Sequence, residues 1–299
     1  MVKCWNTIWR MDGVKIMKVI ASDMDGTLLT PAQEVTAENK AAILEAQSKG
    51  VEVVIATGRS YEEARYVLDK AGIECPIICA NGAEVRSKEG IVLEANPLSD
   101  QEAREAAALL LQNGVYFEVY TNKGTYTNDE DKAVTIIADI IFSANPEIPM
   151  EKVMKGAKQR VEAGLVHKVE DYEDLFEHSE YKIYKLLGFS FDRKALGAAH
   201  DQVGALVGLE VTSSGRENIE ITSRHAQKGI ALEAFVKGMG YSLEETMAIG
   251  DNFNDASMLR IAGKSVAMGN AAEEIKAMCD EITGTNEESG VSKAIRAVL

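Results

Sequence analysis

The 299-residue chain has few cysteines and few histidines, and neither set is spaced as metal ligands are. The cysteines, none of which form zinc-like pairs, are Cys4, Cys75, Cys79 and Cys279. The histidines are scattered at His167, His178, His200 and His225. These absences argue against a zinc site or a Cys–His catalytic dyad. We interpret Cys75 and Cys79 as buried packing residues, because a free cysteine behaves as a small hydrophobe.

The chain also lacks a surplus of positive charge and any long hydrophobic run. It carries 32 basic and 47 acidic residues, a net charge of -15 and a pI near 4.8. This balance argues against non-specific binding to a nucleic acid polymer or to an anionic membrane, both of which attract cations. No apolar run approaches the roughly 18 residues of a membrane-spanning helix, and the first residues lack the apolar centre of a signal peptide. We therefore expect a cytoplasmic protein, either a monomer or a small homo-oligomer.

Short β-branched, apolar runs alternate with amphipathic helical stretches. The strand-like runs are 18–22, 51–56, 76–80, 246–250 and 264–269, and the helical stretches are 37–49, 61–71 and 228–239. The runs lack polar alternation, which is typical of buried parallel strands. Ser60 with Glu63 three positions later forms a capping-box pattern at one helix start. The pattern predicts an α/β fold with a Rossmann-like parallel sheet.

The middle of the chain has a different pattern. Hairpins are predicted at 83–95 and 115–127, helices at 100–112, 129–142 and 192–206, and further strands at 181–190 and 209–222. This mixture predicts a separate α+β cap module inserted into the parallel-sheet domain. The predicted division is an N-terminal extension at 1–15, a catalytic core at 16–84 with 214–299, and a cap at 85–213.

Polar residues follow four of the predicted parallel strands. They are Asp23 and Asp25, then Thr57, Gly58 and Arg59, then Asn81, and finally Asp251, Asn254 and Asp255. In an open parallel sheet the ligand crevice lies outside the carboxyl ends of the strands. We therefore expect these residues to meet in one site.

Such a site would crowd four carboxylates together, which is costly unless a cation offsets the repulsion or two of them share a proton. Mg²⁺ is the natural cation, because it prefers a few oxygen ligands and commonly completes its shell with a substrate phosphate. Lys228 is a candidate partner for the phosphate charge, and Thr57 and Asn254 are candidate neutral donors. A glycine such as Gly58 lets backbone N–H groups approach phosphate oxygens closely.

The pair Asp23 and Asp25 suggests a two-step displacement. One carboxylate can attack phosphorus to form an aspartyl-phosphate. The other can protonate the leaving group and then activate water. We assign Asp23 as the nucleophile and Asp25 as the acid/base, because residues two apart in a strand point to one face about 7 Å apart.

The segments "DMDGTLL", "TGR", "NGA", "KG" and "GDNFND" occur in the order and approximate spacing of the haloacid dehalogenase superfamily of phosphohydrolases, and the insertion resembles the C2B cap of its Cof-type members. The resemblance covers roughly residues 17–299. It implies that the Asp25 main-chain carbonyl binds magnesium together with the Asp23 and Asp251 side chains. It further implies that Thr57 and Lys228 hold the phosphoryl group, that Asn254 helps to orient it, and that Asp255 supports Lys228 or the metal shell.

Two of the candidate residues have open roles at this stage. Arg59 either contacts phosphate or pairs with a helix acid. Asn81 either contacts the site or braces its loop.

The predicted function is a magnesium-dependent phosphatase acting on small phosphorylated metabolites such as sugar phosphates, phosphorylated cofactors or nucleotides. A phosphomutase of similar core-and-cap architecture is one alternative. It would need a site that lets the substrate reorient while keeping water out, and phosphate release without a bisphosphate activator would count against it. A non-catalytic, phosphate-responsive module like the receiver domains is another. Receiver domains are much shorter and lack a large inserted cap, which counts against that alternative.

Overall fold

The computed structural model describes residues 17–144, 149–213 and 215–299. The predicted extension at 1–15 lies outside these ranges. The strands are β1 (Val19–Ser22), β2 (Glu52–Ala56), β3 (Ile77–Cys79), β4 (Glu84–Arg86), β5 (Val92–Ala95), β6 (Tyr116–Thr121), β7 (Gly124–Thr127), β8 (Val166–Lys168), β9 (Ile183–Phe189), β10 (Leu209–Thr212), β11 (Asn218–Ser223), β12 (Thr246–Gly250), β13 (Lys264–Ala267) and β14 (Glu281–Ile282). The helices are α1 (Ala37–Ser48), α2 (Tyr61–Ala71), α3 (Asp100–Gln112), α4 (Glu130–Ala144), α5 (Met150–Glu162), α6 (Glu173–Glu177), α7 (Arg193–Gly204), α8 (Lys228–Gly238), α9 (Ala256–Ile261), α10 (Glu273–Met278) and α11 (Gly290–Arg296).

The first sheet has eight strands in the order β14-β13-β12-β1-β2-β3-β4-β5. The pairs from β14 to β3 are parallel. Every residue of β1 and β12 is buried, because helices cover both faces of the sheet. The predicted parallel α/β core is confirmed.

Local signals in the sequence explain where helix α2 begins and ends. Ser60 accepts a hydrogen bond from the Glu63 backbone at 3.3 Å, and the Glu63 carboxylate accepts one from the Ser60 backbone, also at 3.3 Å. This capping box satisfies two of the donors that a helix start leaves unpaired. The helix ends at Gly72, whose φ of 65° is the left-handed geometry that suits glycine.

The second sheet has six strands in the order β10-β11-β9-β6-β7-β8. Its pairs are antiparallel except for β7 with β8. An apolar cluster that includes Leu110, Phe117, Leu186 and Ile221 packs against it, separate from the core of the first sheet. We refer to the elements from α3 to β11 as the cap and to the rest as the core module.

The pairing of two segments corrects the predicted module boundaries at 85 and 213. The hairpin at 83–95 was predicted to lie in the cap, but β4 pairs antiparallel with β3, so β4 and β5 extend the core sheet. A tight turn at Ala80–Gly82 returns the chain alongside β3, which makes this pairing local. Conversely, β11 lies between β9 and β10, so the cap sheet continues to Ser223.

Both chain crossings between core and cap pass through one small apolar cluster. It contains Ala80 and Ala83 of the core, Tyr184 of the cap and Ala226 just after the return crossing, with Ala95 packed against them. The outgoing and returning segments therefore lie together.

A second contact between core and cap is ionic. Arg160 of α5 donates to Glu63 of α2 at 2.5 Å and to both oxygens of Glu118 on β6 at 2.8 and 2.7 Å. The Glu118 side chain is fully buried. Arg160 thus ties the cap to the first turn of a core helix.

Candidate active site

Four neighbouring strands bring the predicted site residues to one edge of the core sheet. The order β12-β1-β2-β3 places Asp251, Asp23, Thr57 and Asn81 at successive strand ends. Lys228 opens α8 and reaches the same place. The predicted convergence at the carboxyl ends of the parallel strands is therefore seen in the fold.

A buried ion-pair triad lies at the centre of the site. The Lys228 Nζ donates to Asp23 Oδ1 at 2.6 Å and to Asp255 Oδ1 at 2.7 Å. The other oxygen of Asp255 accepts from the backbone N–H groups of Asp251 and Asn252 at 3.0 and 3.1 Å. Asp255 therefore both pairs with the lysine and holds the loop that carries Asp251.

Three carboxylates come close enough to share a cation. Oxygens of Asp23, Asp251 and Asp255 lie within 4.8 Å of one another. Burial and the charge of Asp255 raise the pKa of Asp23 well above its ordinary value, against the opposing effect of Lys228. The same two causes, burial first, raise the pKa of Asp251 to about 7. Thr27 donates to Asp251 at 2.7 Å and orients it.

The donor set fits magnesium, because it consists of hard carboxylate oxygens whose mutual repulsion a divalent cation would offset. The charge of Lys228 can balance only one of the three carboxylates when all are ionised. The sequence prediction named the side chains of Asp23 and Asp251 as ligands, and both are in the cluster. Asp255 is the third member, while the Asp25 carboxylate turns elsewhere.

Asp25 is paired with Arg59. The guanidinium donates to its two oxygens at 2.8 and 2.5 Å, and it also donates to Gln33. The surrounding protein disfavours the charge on Asp25, but Arg59 outweighs this effect and lowers the pKa of the carboxyl group. Arg59 was predicted to contact phosphate or a helix acid, and its partner here is Asp25.

The expectation that Asp23 and Asp25 share a strand face is wrong. Strand β1 ends at Ser22, and the chain turns at Gly26, whose φ is 78°. A Cβ at Gly26 would lie 2.9 Å from the Asp251 carboxyl carbon, so a larger residue would displace a member of the carboxylate cluster. Asp23 contacts Lys228, whereas Asp25 contacts Arg59.

The loops after β2 and β3 are joined by hydrogen bonds. Thr57 Oγ1 accepts from the Arg59 backbone at 3.1 Å, and the Asn81 backbone donates to the Thr57 carbonyl at 3.0 Å. The Asn254 amide donates to Asn81 Oδ1 at 3.4 Å. The Asn81 amide in turn donates to Glu220 of the cap. Asn81 thus braces its loop, and phosphate contacts by Thr57, Gly58 and Asn254 remain predictions.

Sequence reasoning missed two asparagines, Asn270 and Asn286, that bond to the turn after Asp25. Asn270 donates to the Gly26 carbonyl at 2.8 Å and accepts from the Asn286 backbone at 3.0 Å. Asn286 donates to the Leu29 carbonyl at 2.8 Å. Asn270 follows the predicted strand at 264–269, so the strand-end rule that selected the other residues would also have selected it.

Two cap residues near the site were also missed. Lys185 and Glu220 are almost fully buried. Lys185 lies in an otherwise apolar strand, and Glu220 lies between two isoleucines of β11. A charged residue inside such a strand was the available signal. Burial lowers the pKa of Lys185, and Glu220 opposes that shift.

Core and cap together line an open cavity of about 1520 Å³ beside these groups. Its lining includes Asp23, Asp25 and Asp251 from the core and Tyr120, Arg160 and Lys185 from the cap. The nucleophile candidate therefore faces a space bounded by both modules. Within the described part of the chain, every helix is too short or too polar to cross a membrane.

Clustered aspartates and a lysine at the carboxyl edge of a parallel sheet define a class of hydrolases, and the comparison with known proteins identifies it. A sequence model of haloacid dehalogenase-like hydrolases matches residues 20–295, and the chain belongs to that family. Phosphatase YwpJ of Bacillus subtilis is 37% identical over 286 residues, covering 95% of this chain and 100% of the relative. The B. subtilis 5-amino-6-(5-phospho-D-ribitylamino)uracil phosphatase YwtE is 37% identical over 285 residues, covering 95% of this chain and 98% of the relative. A solved haloacid dehalogenase-like hydrolase from B. subtilis matches with a TM-score of 0.88 at 36% identity, covering 95% of this chain and all of the other.

These matches confirm the resemblance that the motifs indicated. The chain is an enzyme of the phosphatase class, so the non-catalytic receiver-like alternative is not retained.

Proposed function

We propose that the protein is a magnesium-dependent phosphatase that hydrolyses phosphate monoesters of small metabolites through an aspartyl-phosphate on Asp23. One observation carries the proposal. The Asp23 carboxylate is 5% exposed, bonds to Lys228, lies in the three-carboxylate cluster and lines the cavity. Asp23, the candidate nucleophile, therefore contacts the charge-balancing lysine and also belongs to the candidate metal-ligand set.

The cavity supports a small substrate. Its volume of about 1520 Å³ is generous for a phosphorylated metabolite, and its walls come from both modules, which hinders access by a folded phosphoprotein. The relative YwtE acts on a phosphorylated ribitylaminouracil, as its name states. A phosphate ester of a sugar-like or heterocyclic metabolite is therefore the class to test first.

Asp23 makes the first bond. Lys228 holds Oδ1, and we assign the attack on phosphorus to the other oxygen, Oδ2. A bond forms between Asp23 and phosphorus while the bond from phosphorus to the leaving oxygen breaks. Asp23 and Asp251, with Asp255 beside them, would hold the magnesium ion. When bound, its positive charge would stabilise negative charge on the phosphoryl oxygens.

Asp25 acts as the general acid and then as the general base. In its acid form it gives a proton to the departing oxygen, and in its base form it takes one from the water that displaces Asp23 from phosphorus. Its pairing with Arg59 favours the ionised base form. The acid step therefore requires substrate entry to draw Arg59 away from Asp25, and the phosphoryl group offers Arg59 another anionic partner.

The test is phosphate release by the purified protein from p-nitrophenyl phosphate, sugar phosphates, nucleotides, phosphorylated cofactors and the ribitylaminouracil phosphate. Each is assayed with Mg²⁺ and with EDTA. We expect release that needs Mg²⁺ and disappears in Asp23→Asn, whose amide oxygen can still accept from Lys228. Asp201→Asn, an exposed carboxylate on α7, is the matched control and should behave as wild type. Turnover preserved in Asp23→Asn removes Asp23 from its role, and turnover that requires a bisphosphate activator favours the phosphomutase.

A further inference from the structure

Two oppositely charged side chains of the cap sheet are buried against loops of the core. Lys185 on β9 is 1% exposed and Glu220 on β11 is 3% exposed. Their charged atoms are 3.8 Å apart, and the Lys185 Nζ lies 4.3 Å from the centre of the Tyr120 ring. Burying two charges is costly, so the contacts that they make need a reason beyond stability.

Lys185 acts on the loop after β2. Its Nζ donates to the carbonyl of Gly58, between Thr57 and Arg59. The same loop carries the Thr57 hydroxyl and the backbone N–H groups that were predicted to hold phosphate. A cap residue therefore fixes the orientation of a peptide unit in this loop.

Glu220 acts on the loop after β3. It accepts the amide of Asn81, whose Oδ1 accepts from Asn254. Ala80 and Asn81 have φ values of 45° and 59°, a left-handed conformation that residues with a Cβ adopt reluctantly. The bond from the cap helps to hold this disfavoured turn in place.

The two loops also pack directly on each other beneath the pair. A Cβ on Gly58 would lie 3.0 Å from Asn81 Oδ1 and 3.5 Å from a Glu220 oxygen. The space beside Gly58 is thus closed by Asn81 and by Glu220 itself. A shift of either Lys185 or Glu220 would therefore displace both loops.

We propose that Lys185 and Glu220 are positioning residues that set the two phosphate-side loops of the core, so the phosphoryl site is complete only with the cap in place. This inference rests on the proposed phosphatase function and adds the residues through which the cap takes part in the chemistry. Lys185 acts through Gly58, and Glu220 acts through Asn81. The pair serves every substrate, because it orders the common phosphoryl site.

The test separates this role from contact with a particular leaving group. The double variant Lys185→Met with Glu220→Gln removes both charges together, so neither is left buried and unpaired. We expect it to fold and to melt close to wild type. We expect kcat to fall on the order of ten- to a hundredfold, both for p-nitrophenyl phosphate and for the best metabolite, because displaced site groups cost that much. Inhibition by orthovanadate should weaken in parallel.

Two further variants complete the design. Glu220→Gln alone keeps an oxygen for the Asn81 amide and should lose less kcat than the double variant. Lys182→Met removes an exposed lysine just before β9 and should match wild type.

Unchanged kcat for p-nitrophenyl phosphate in the double variant, with loss confined to KM for metabolites, would overturn the inference in favour of a leaving-group contact. If the double variant fails to fold, Lys185→Met alone decides, because it removes the donor to the Gly58 carbonyl, and an unchanged kcat there overturns the inference equally. A wild type that releases no phosphate from any ester instead overturns the proposed function.

Discussion

Replacing Lys228 by methionine is expected to destabilise the core strongly and in a way that magnesium repairs in part. The lysine is fully buried and lies 2.6 and 2.7 Å from oxygens of Asp23 and Asp255. Its loss leaves these carboxylates buried without their cation. Breaking a buried pair costs about 3–5 kcal/mol. At about 2–4 °C of melting temperature per kcal/mol, the midpoint should fall on the order of 6–20 °C.

Thermal unfolding in EDTA and in Mg²⁺ measures this effect. A cation that binds the folded carboxylate cluster raises the midpoint by mass action. The increment should be larger in Lys228→Met than in wild type, because the cluster then carries one more uncompensated negative charge. Lys237→Met, at an exposed position of the same helix, is the control and should melt as wild type.

Adding Asp255→Asn to Lys228→Met should recover part of the lost stability, because it removes one of the stranded charges. A Lys228→Met protein that melts at the wild-type temperature in EDTA would refute this account of the site's electrostatics. So would an Mg²⁺ response no larger than that of wild type.

Two further predictions concern residues outside the carboxylate cluster. Arg160→Met strands the buried Glu118 and should cost about 3–5 kcal/mol in urea unfolding near neutral pH. Burial opposes the charge on Glu63, but Arg160 outweighs burial and lowers its pKa. The contribution of the Glu63–Arg160 pair to the free energy of unfolding is therefore fully present above the ordinary glutamate pKa, and it is lost as the pH falls through the lowered pKa of Glu63. The difference from wild type should shrink on acidification, and a constant difference would contradict the assignment. Asn270→Ala removes the 2.8 Å bond to the Gly26 carbonyl, which contributes about 1 kcal/mol to stability, and should lower the melting temperature by about 2–4 °C and reduce kcat; an unaltered kcat would show that the turn keeps its conformation without this bond.

The parallel strands and their polar ends were predictable because each is a local signal. Buried strands of a parallel sheet are continuous apolar runs, and the residue after such a run lies at the ligand edge. This rule found Asp23, Thr57 and Asp251, and it had the means to find Asn270. The capping box of Ser60 and Glu63 is equally local and was also found.

What the sequence did not reveal depends on contacts between distant segments. Strand β1 ends at Ser22, before either aspartate, and Asp23 and Asp25 pair with Lys228 and Arg59, which come from other parts of the chain. Arg59 had several acids within reach, and only the fold selects Asp25. The hairpin at 83–95 has the same alternation whether it joins the core or the cap, so its partner strand decides the module.

The small cluster of Ala80, Ala83, Tyr184 and Ala226, with Ala95 beside it, has a consequence for engineering. Because the outgoing and returning segments lie together there, both chain connections between cap and core lie at one place. Domain insertions are tolerated where the termini of the inserted unit lie close together. Caps from related hydrolases are therefore exchangeable as cassettes at junctions near Asn96 and Arg224, provided that the donor supplies equivalents of Lys185 and Glu220.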